Sequence, residues 1–220
     1  MGFWSSVGSA LSGVISGACS VVSSVASTLG NAVTKIATTI SEMGVNLATK
    51  VGETIKAVGI SLGIIQSSDD LQELGEKAMM SEKTPTDFDS ISAYIDHLRN
   101  DVTIDKEKFS RLDEKELLAR SAIGSAITLQ GINEKLETVV CPQFMAMVAT
   151  QNLAADEIVA TIKAYKEKSL NTSDYSLYLK DELSIAQSRE HSNALVEAYQ
   201  QLEPELSIEQ IEDKVMGLRP

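Results

Sequence analysis

The chain has 220 residues, 43% of them hydrophobic but only 5% aromatic, with 31 acidic against 19 basic side chains and a net charge of −12. That length permits one or two domains. The acid excess argues against sequence-independent nucleic-acid binding, which needs Lys and Arg to displace phosphate counterions, and against polybasic attraction to anionic lipid.

Charge is divided unevenly. Residues 1–34 carry no charged side chain, and residues 1–66 hold only Lys35, Lys50 and Lys56 against Glu42 and Glu53, a net +1. The remaining residues therefore hold −13. The first stretch also repeats every eleven residues. One apolar track runs Phe3, Val14, Val25, Ile36, Leu47 and Val58; a second runs Val7, Ala18, Leu29, Ile40, Val51 and Leu62. Two more run Leu11, Val22, Val33, Gly44, Ile55 and Trp4, Ile15, Ala26, Ala37, Ala48, Gly59. The polar tracks are Ser5, Ser16, Ser27, Thr38, Thr49 and Ser9, Ser20, Asn31, Glu42, Glu53. Eleven residues make about three helical turns at ~3.67 residues each, so the apolar tracks form one stripe roughly 120° wide.

Three arrangements fit this pattern. A helix can lie in a lipid interface with Phe3, Trp4 and the aliphatic stripe among acyl chains. It can cross the bilayer, since residues 3–33 would span roughly 46 Å against a hydrocarbon core of about 30 Å. Several copies would then turn Ser5, Ser9, Ser12, Ser16, Ser20, Ser23 and Ser27 toward an aqueous lumen, with Ser9, Gly13 and Gly17 as close-packing positions. Alternatively, a soluble hairpin turns near Leu29-Gly30-Asn31, because Gly-Asn suits a helix end followed by reversal, and packs its stripe against protein. Lys35, Glu42, Lys50, Glu53 and Lys56 place 35–56 at an interface or lumen, because a charge at the bilayer centre costs about 2.5–3.5 kcal/mol.

Composition shifts at Ser67-Ser68-Asp69-Asp70, so the expected division is a membrane-active segment over 1–66 and an acidic helical bundle over 67–220. In chain order, the second region predicts a helix from Asp69 to about Glu82, ended by Thr84-Pro85-Thr86. Thr86 or Asp87 then caps a helix carrying Phe88, Ile91, Tyr94, Ile95 and Leu98. A helical region follows Thr103 and includes the apolar run Ala119–Leu129, too short to cross a membrane and suited to a bundle core. Cys141-Pro142 sets a boundary. Helices are then expected over 142–169 and 174–202, the latter with Tyr178, Leu183, Ile185, Leu195, Val196, Tyr199 and Leu202 on its apolar side. The capping box Ser207-Ile208-Glu209-Gln210 starts a last short helix closed by Gly217. Strand-like alternation persists nowhere, so the fold class is all-α: a long Ser/Gly-rich amphipathic helix or helical hairpin plus an acidic bundle.

No catalytic motif stands in the chain: no G-x-S-x-G, P-loop, GxGxxG after a strand or HExxH. Cys19 and Cys141 imply no disulfide framework, and His97 and His191 are isolated, so no metal-ligand spacing arises. Neither an enzyme nor a cofactor is expected. There is no basic n-region for a conventional signal peptide. Met1-Gly2 with Ser6 fits the minimal myristoylation pattern, beside the bulky Phe3 and Trp4.

The repeat resembles the eleven-residue amphipathic helices of apolipoproteins, synucleins and lipid-droplet coat proteins over residues 3–65, with Ser and Thr where those families carry paired Lys and Glu. Residues 1–34 look like lipid-packing sensors, which have a nearly neutral polar face. At class level, the missing signal peptide, uncharged amphipathic start and acidic helical remainder resemble small pore-forming effectors that bacteria deliver through contractile secretion machines. The resemblance implies a protein soluble before delivery and then active at a target-cell membrane, with a delivery, chaperone or immunity protein as partner. The residues themselves favour a membrane-active, permeabilising protein that forms homo-oligomers in a lipid bilayer and binds no nucleic acid. The membrane-inserting set is Phe3, Trp4, Val7, Leu11, Val14, Ile15, Val22, Val25, Leu29, Val33, Ile36, Ile40, Leu47, Val51, Val58 and Leu62. Two alternatives stand beside it: a peripheral curvature-sensing or lipid-coating protein, and a self-assembling structural helical protein.

Overall fold

Helix follows helix from Phe3 to the C-terminal turn, and no strand occurs among the described residues. This computed structural model describes residues 3–219, with side chains from residue 12 onward. The chain divides into two compact units, 1–134 and 135–220.

The first unit begins with α1 (Phe3–Ser24), α2 (Ala26–Glu42) and α3 (Val45–Ser61). Gly30 interrupts α2 with φ 77° and ψ 161°, and Gly44 separates α2 from α3 with φ 78° and ψ 164°. Both values lie in a backbone region that is essentially glycine-only. The chain reverses around the first, so that α1 folds back along α2 and the Ile15 side chain approaches Gly44. Thr34 closes the corner by donating its hydroxyl to the Gly30 carbonyl at 2.8 Å. The turn expected near Leu29-Gly30-Asn31 is therefore present.

Asp70 starts α4 (Leu71–Met80), its carboxylate accepting from the backbone N–H groups of Gln72 and Glu73 at 2.9 and 3.0 Å. Satisfying these orphan donors is the reason aspartate is favoured here. Asp70→Ala is expected to cost about 1 kcal/mol, read as a lowered urea midpoint at unchanged slope. A single 3-10 turn at Pro85–Asp87 precedes α5 (Ile91–Asp101), which Ser90 caps. The helix start thus lies at Ser90, not at Thr86 or Asp87, because Thr84 and Asp87 close their own small turn. Arg99 of α5 grips Asp69 through Nη2 at 2.6 Å and Nε at 3.0 Å. Burial works to raise the Asp69 pKa, but Arg99 and the Gln66 N–H outweigh it and the carboxyl is held below its ordinary range.

After the four-residue α6 (Lys106–Phe109) comes α7 (Glu114–Leu136), the axis of the unit. Its run from Ala119 to Leu129 is buried apart from the half-buried Ser121, so this stretch is core. Small residues let neighbours approach its backbone closely. A Cβ at Gly75 of α4 would lie 2.0 Å from the Arg120 carbonyl oxygen, and one at Gly124 would lie 2.0 Å from that of Leu71. Beside this crossing Arg120 pairs with Glu76 of α4. On α3, Gly52 faces Ser125 and Gly59 faces Thr128.

The second unit contains α8 (Pro142–Thr150), α9 (Ala155–Glu167), α10 (Tyr175–Leu179), α11 (Ile185–Leu202) and α12 (Ile208–Met216). The single helices expected over 142–169 and 174–202 are each two. Asn152 and Asp181 adopt left-handed φ values of 56° and 57° and reverse the chain. Leu153 N–H then reaches back to the Val148 carbonyl, and Glu182 N–H to that of Leu177, the Schellman closure. Ile185, expected on the apolar side, is the first residue of α11 and 83% exposed, because the helix starts there and is capped by Ser184 with Gln187. Tyr165, Tyr175, Tyr178, Tyr199, Phe144 and His191 form a buried aromatic core. The Ser207–Gln210 box starts α12 as expected.

The composition boundary at 66/67 and the structural division at 134/135 thus differ. The reason is that α1–α3 pack against α4 and the greater part of α7 within one unit.

Candidate membrane-active segment

Three apolar tracks of the eleven-residue repeat point inward and one lies at the rim. Ala18, Val22, Leu29, Val33, Ala37, Ile40, Ala48, Val51, Ile55 and Val58 are buried. Val14, Val25, Ile36 and Leu47, all on the track that starts at Phe3, are half-buried, as are Ile15 and Leu62. Of the sixteen expected inserting residues, Phe3, Trp4, Val7 and Leu11 fall outside the described side chains, as do Ser5 and Ser9.

From residue 12 into the start of α2 the opposite face is hydroxyl and uncharged. Ser12, Ser16, Ser20, Ser23 and Ser27 are all exposed. Soluble surface helices normally expose charge on this side. Here the first exposed charge is Lys35, followed by Glu42 and Glu53. Of the expected close-packing positions, Gly13 faces open space, whereas Gly17 lies under the aliphatic chain of Lys115 in the first turn of α7. The sequence offered no signal for the Lys115 contact, which joins residues nearly a hundred positions apart.

Several hydroxyls of α1–α3 are spent locally. Thr39 and Thr49 donate to the carbonyls of Lys35 and Val45 at 2.9 and 2.8 Å, and Ser23 to Cys19 at 2.8 Å. Such back-bonding satisfies a hydroxyl without water, as hydroxyls in apolar helices require. The Cys19 thiol is pushed up by burial first and by the Glu42 carboxylate second, in keeping with α1 folding back along α2.

Burial of one Val, Leu or Ile side chain contributes about 1.5–3 kcal/mol. Acyl chains are as apolar as a protein core, so a bilayer replaces this contribution and does not add to it. Transfer of the stripe between the two surroundings is therefore near balance for its side chains. Among the described residues, no helix is long and apolar enough to cross a membrane, and no group of His, Cys, Asp and Glu is gathered for a metal. No family model, characterised protein or solved structure matches the chain.

Proposed function

We propose that the protein permeabilises membranes: residues 3–65 leave their folded place, lay the apolar stripe among acyl chains and assemble with other copies around a hydroxyl-lined lumen. One observation carries the reading. From residue 12 to the end of α1 the apolar residues are buried or half-buried and the exposed ones are serines and Gly13, without charge, a polar face suited to a low-dielectric assembly. In the folded form α4 and α7 help to hold the stripe out of water, so the protein is soluble until it meets lipid or is released by a delivery or immunity partner. The action is insertion, not catalysis, at the membrane of a target cell.

The test is release of a small dye from phosphatidylcholine–phosphatidylethanolamine vesicles by the full chain and by Val14→Asp/Val25→Asp. Both positions are half-buried in the folded form, which makes aspartate more tolerable there than at the buried Val22 or Val33. In the bilayer the two charges cost roughly 5–7 kcal/mol together. Release is expected to fall more than a hundredfold, with the far-ultraviolet circular dichroism of the soluble protein unchanged. Unchanged release by the double variant removes the segment from the mechanism.

A second reading is favoured by the same burial. Val22, Leu29, Val33, Ile40, Val51 and Val58 are nearly inaccessible, as in a helical protein that uses its repeat only for its own core. That reading expects neither binding to vesicles nor release. A lipid-coating protein would bind without release, and a scaffold would sediment as lipid-free assemblies.

A further inference from the structure

The repeat keeps its phase through both glycine corners. Along one track Ala18, Leu29, Ile40 and Val51 are all buried, although Gly30 and Gly44 break the helix between them. Along another Val22, Val33 and Ile55 are buried, with the Gly44 corner on the track itself. The polar track stays outside just as consistently, at Ser20, Asn31, Glu42 and Glu53. Three helices joined by corners need no common phase, since each corner resets the rotation of the next helix. One continuous helix does need it.

Packing does not account for glycine at the corners. A Cβ at Gly30 would meet nothing within 4 Å, and one at Gly44 would meet only Ile15 Cδ1 at an ordinary 3.6 Å. What selects glycine is the dihedral pair, near φ 77° and ψ 161° at both positions. The corners are therefore two backbone rotations; the Thr34 hydroxyl on the Gly30 carbonyl is an i to i−4 bond that a continuous helix would keep.

We infer that Gly30 and Gly44 are the hinges of a two-state segment, bent in the soluble protein and straightened into one helix over residues 12–62 on lipid. The straight form keeps the stripe on one side over roughly 75 Å and adds the backbone hydrogen bonds that the corners forgo. This inference rests on the membrane reading above and specifies its conformational step.

Spin labels at Ser16→Cys and Glu42→Cys, with Cys19→Ser and Cys141→Ser in the full chain, measure the step by pulsed electron resonance. In buffer the labels sit on helices packed side by side, within ~20 Å. On the same vesicles the expected separation is about 39 Å, twenty-six residues of continuous helix. In the unlabelled chain, Gly30→Ala/Gly44→Ala disfavours the corners and favours helix, so dye release is expected to quicken on the order of tenfold. Dye release with the short distance retained overturns the hinges and leaves permeabilisation standing. Release that slows in the alanine variant while the labelled chain stays bent does the same. No vesicle binding and no release by the native chain removes the membrane reading and the hinges with it.

Discussion

Replacing Gly124 with alanine is expected to lower the stability of residues 1–134 by about 3 kcal/mol or more, beyond the usual range for one added methyl. The obstacle is backbone. A Cβ there would stand 2.0 Å from the Leu71 carbonyl oxygen and 2.8 Å from its carbon, and no rotamer change relieves such a contact. The first turn of α4 must retreat, drawing the buried Leu71 and Leu74 out of the core and pulling Glu76 from Arg120. Gly75→Ala meets the same crossing from the other side, 2.0 Å from the Arg120 carbonyl oxygen. Because both variants break one contact, their effects should be far from additive. Urea titration followed by far-ultraviolet circular dichroism, with hydrogen exchange in α4 and α7, reads the loss. An unchanged midpoint in both would mean that these helices do not cross backbone to backbone. The same variants separate the functional readings. Where the fold holds the stripe away from lipid, loosening α4 from α7 speeds dye release; where the stripe is only core, the variants aggregate without it.

Acid is expected to weaken residues 135–220 well before their carboxylates titrate. His191 of α11 is 3% exposed. Its Nδ1 lies 2.8 Å from the Tyr165 hydroxyl of α9, and its ring stacks on Tyr178 of α10 at 5.7 Å. Burial depresses its pKa, outweighing the opposite pull of Asp174 and Glu190. The folded unit therefore refuses a proton that the unfolded chain accepts near pH 6.5. Stability is complete above that pH and falls as pH drops below it, down to the depressed value, since the unfolded state then binds more protons. His191→Phe keeps an aromatic ring in place and should flatten this dependence between neutral and mildly acidic pH. It leaves the Tyr165 hydroxyl without its partner, a loss of about 1–2 kcal/mol at neutral pH. Near-ultraviolet circular dichroism suits the measurement, because four of the five tyrosines, Tyr165, Tyr175, Tyr178 and Tyr199, lie in this unit. A native midpoint indifferent to pH between 7 and 5.5 sinks the assignment.

The parts of this fold that could be read from the sequence are those written in local chemistry. Gly30-Asn31 announced a reversal, Ser207 with Gln210 announced α12, and Cys141-Pro142 announced the start of α8, where the Cys141 sulfur accepts the Phe144 N–H. The breaks at Asn152 and Asp181 were hidden because the left-handed residue in each Schellman turn is not glycine. Ser184 and Gln187 did carry a capping box that marks the second break. The eleven-residue stripe located the candidate segment, yet what covers it could not be seen. Its cover is made by contacts such as Gly17 with Lys115 and Gly52 with Ser125, which depend on tertiary packing and leave no periodic trace. For the same reason α7 gave no sign of the division at 134/135, since its helical pattern runs through it without interruption.

The outward side of α1 has a consequence for how the molecule senses its surroundings. Ser12, Ser16, Ser20 and Ser23 present dipoles without ionisable groups, so this surface gathers no counterion cloud and changes little with acidity or ionic strength. Salt and protons reach the helix only indirectly, through the charged helices that follow it within residues 1–134. Any salt or proton sensitivity in vesicle experiments would therefore report on the scaffold's grip, while the serine ridge itself stays electrically silent.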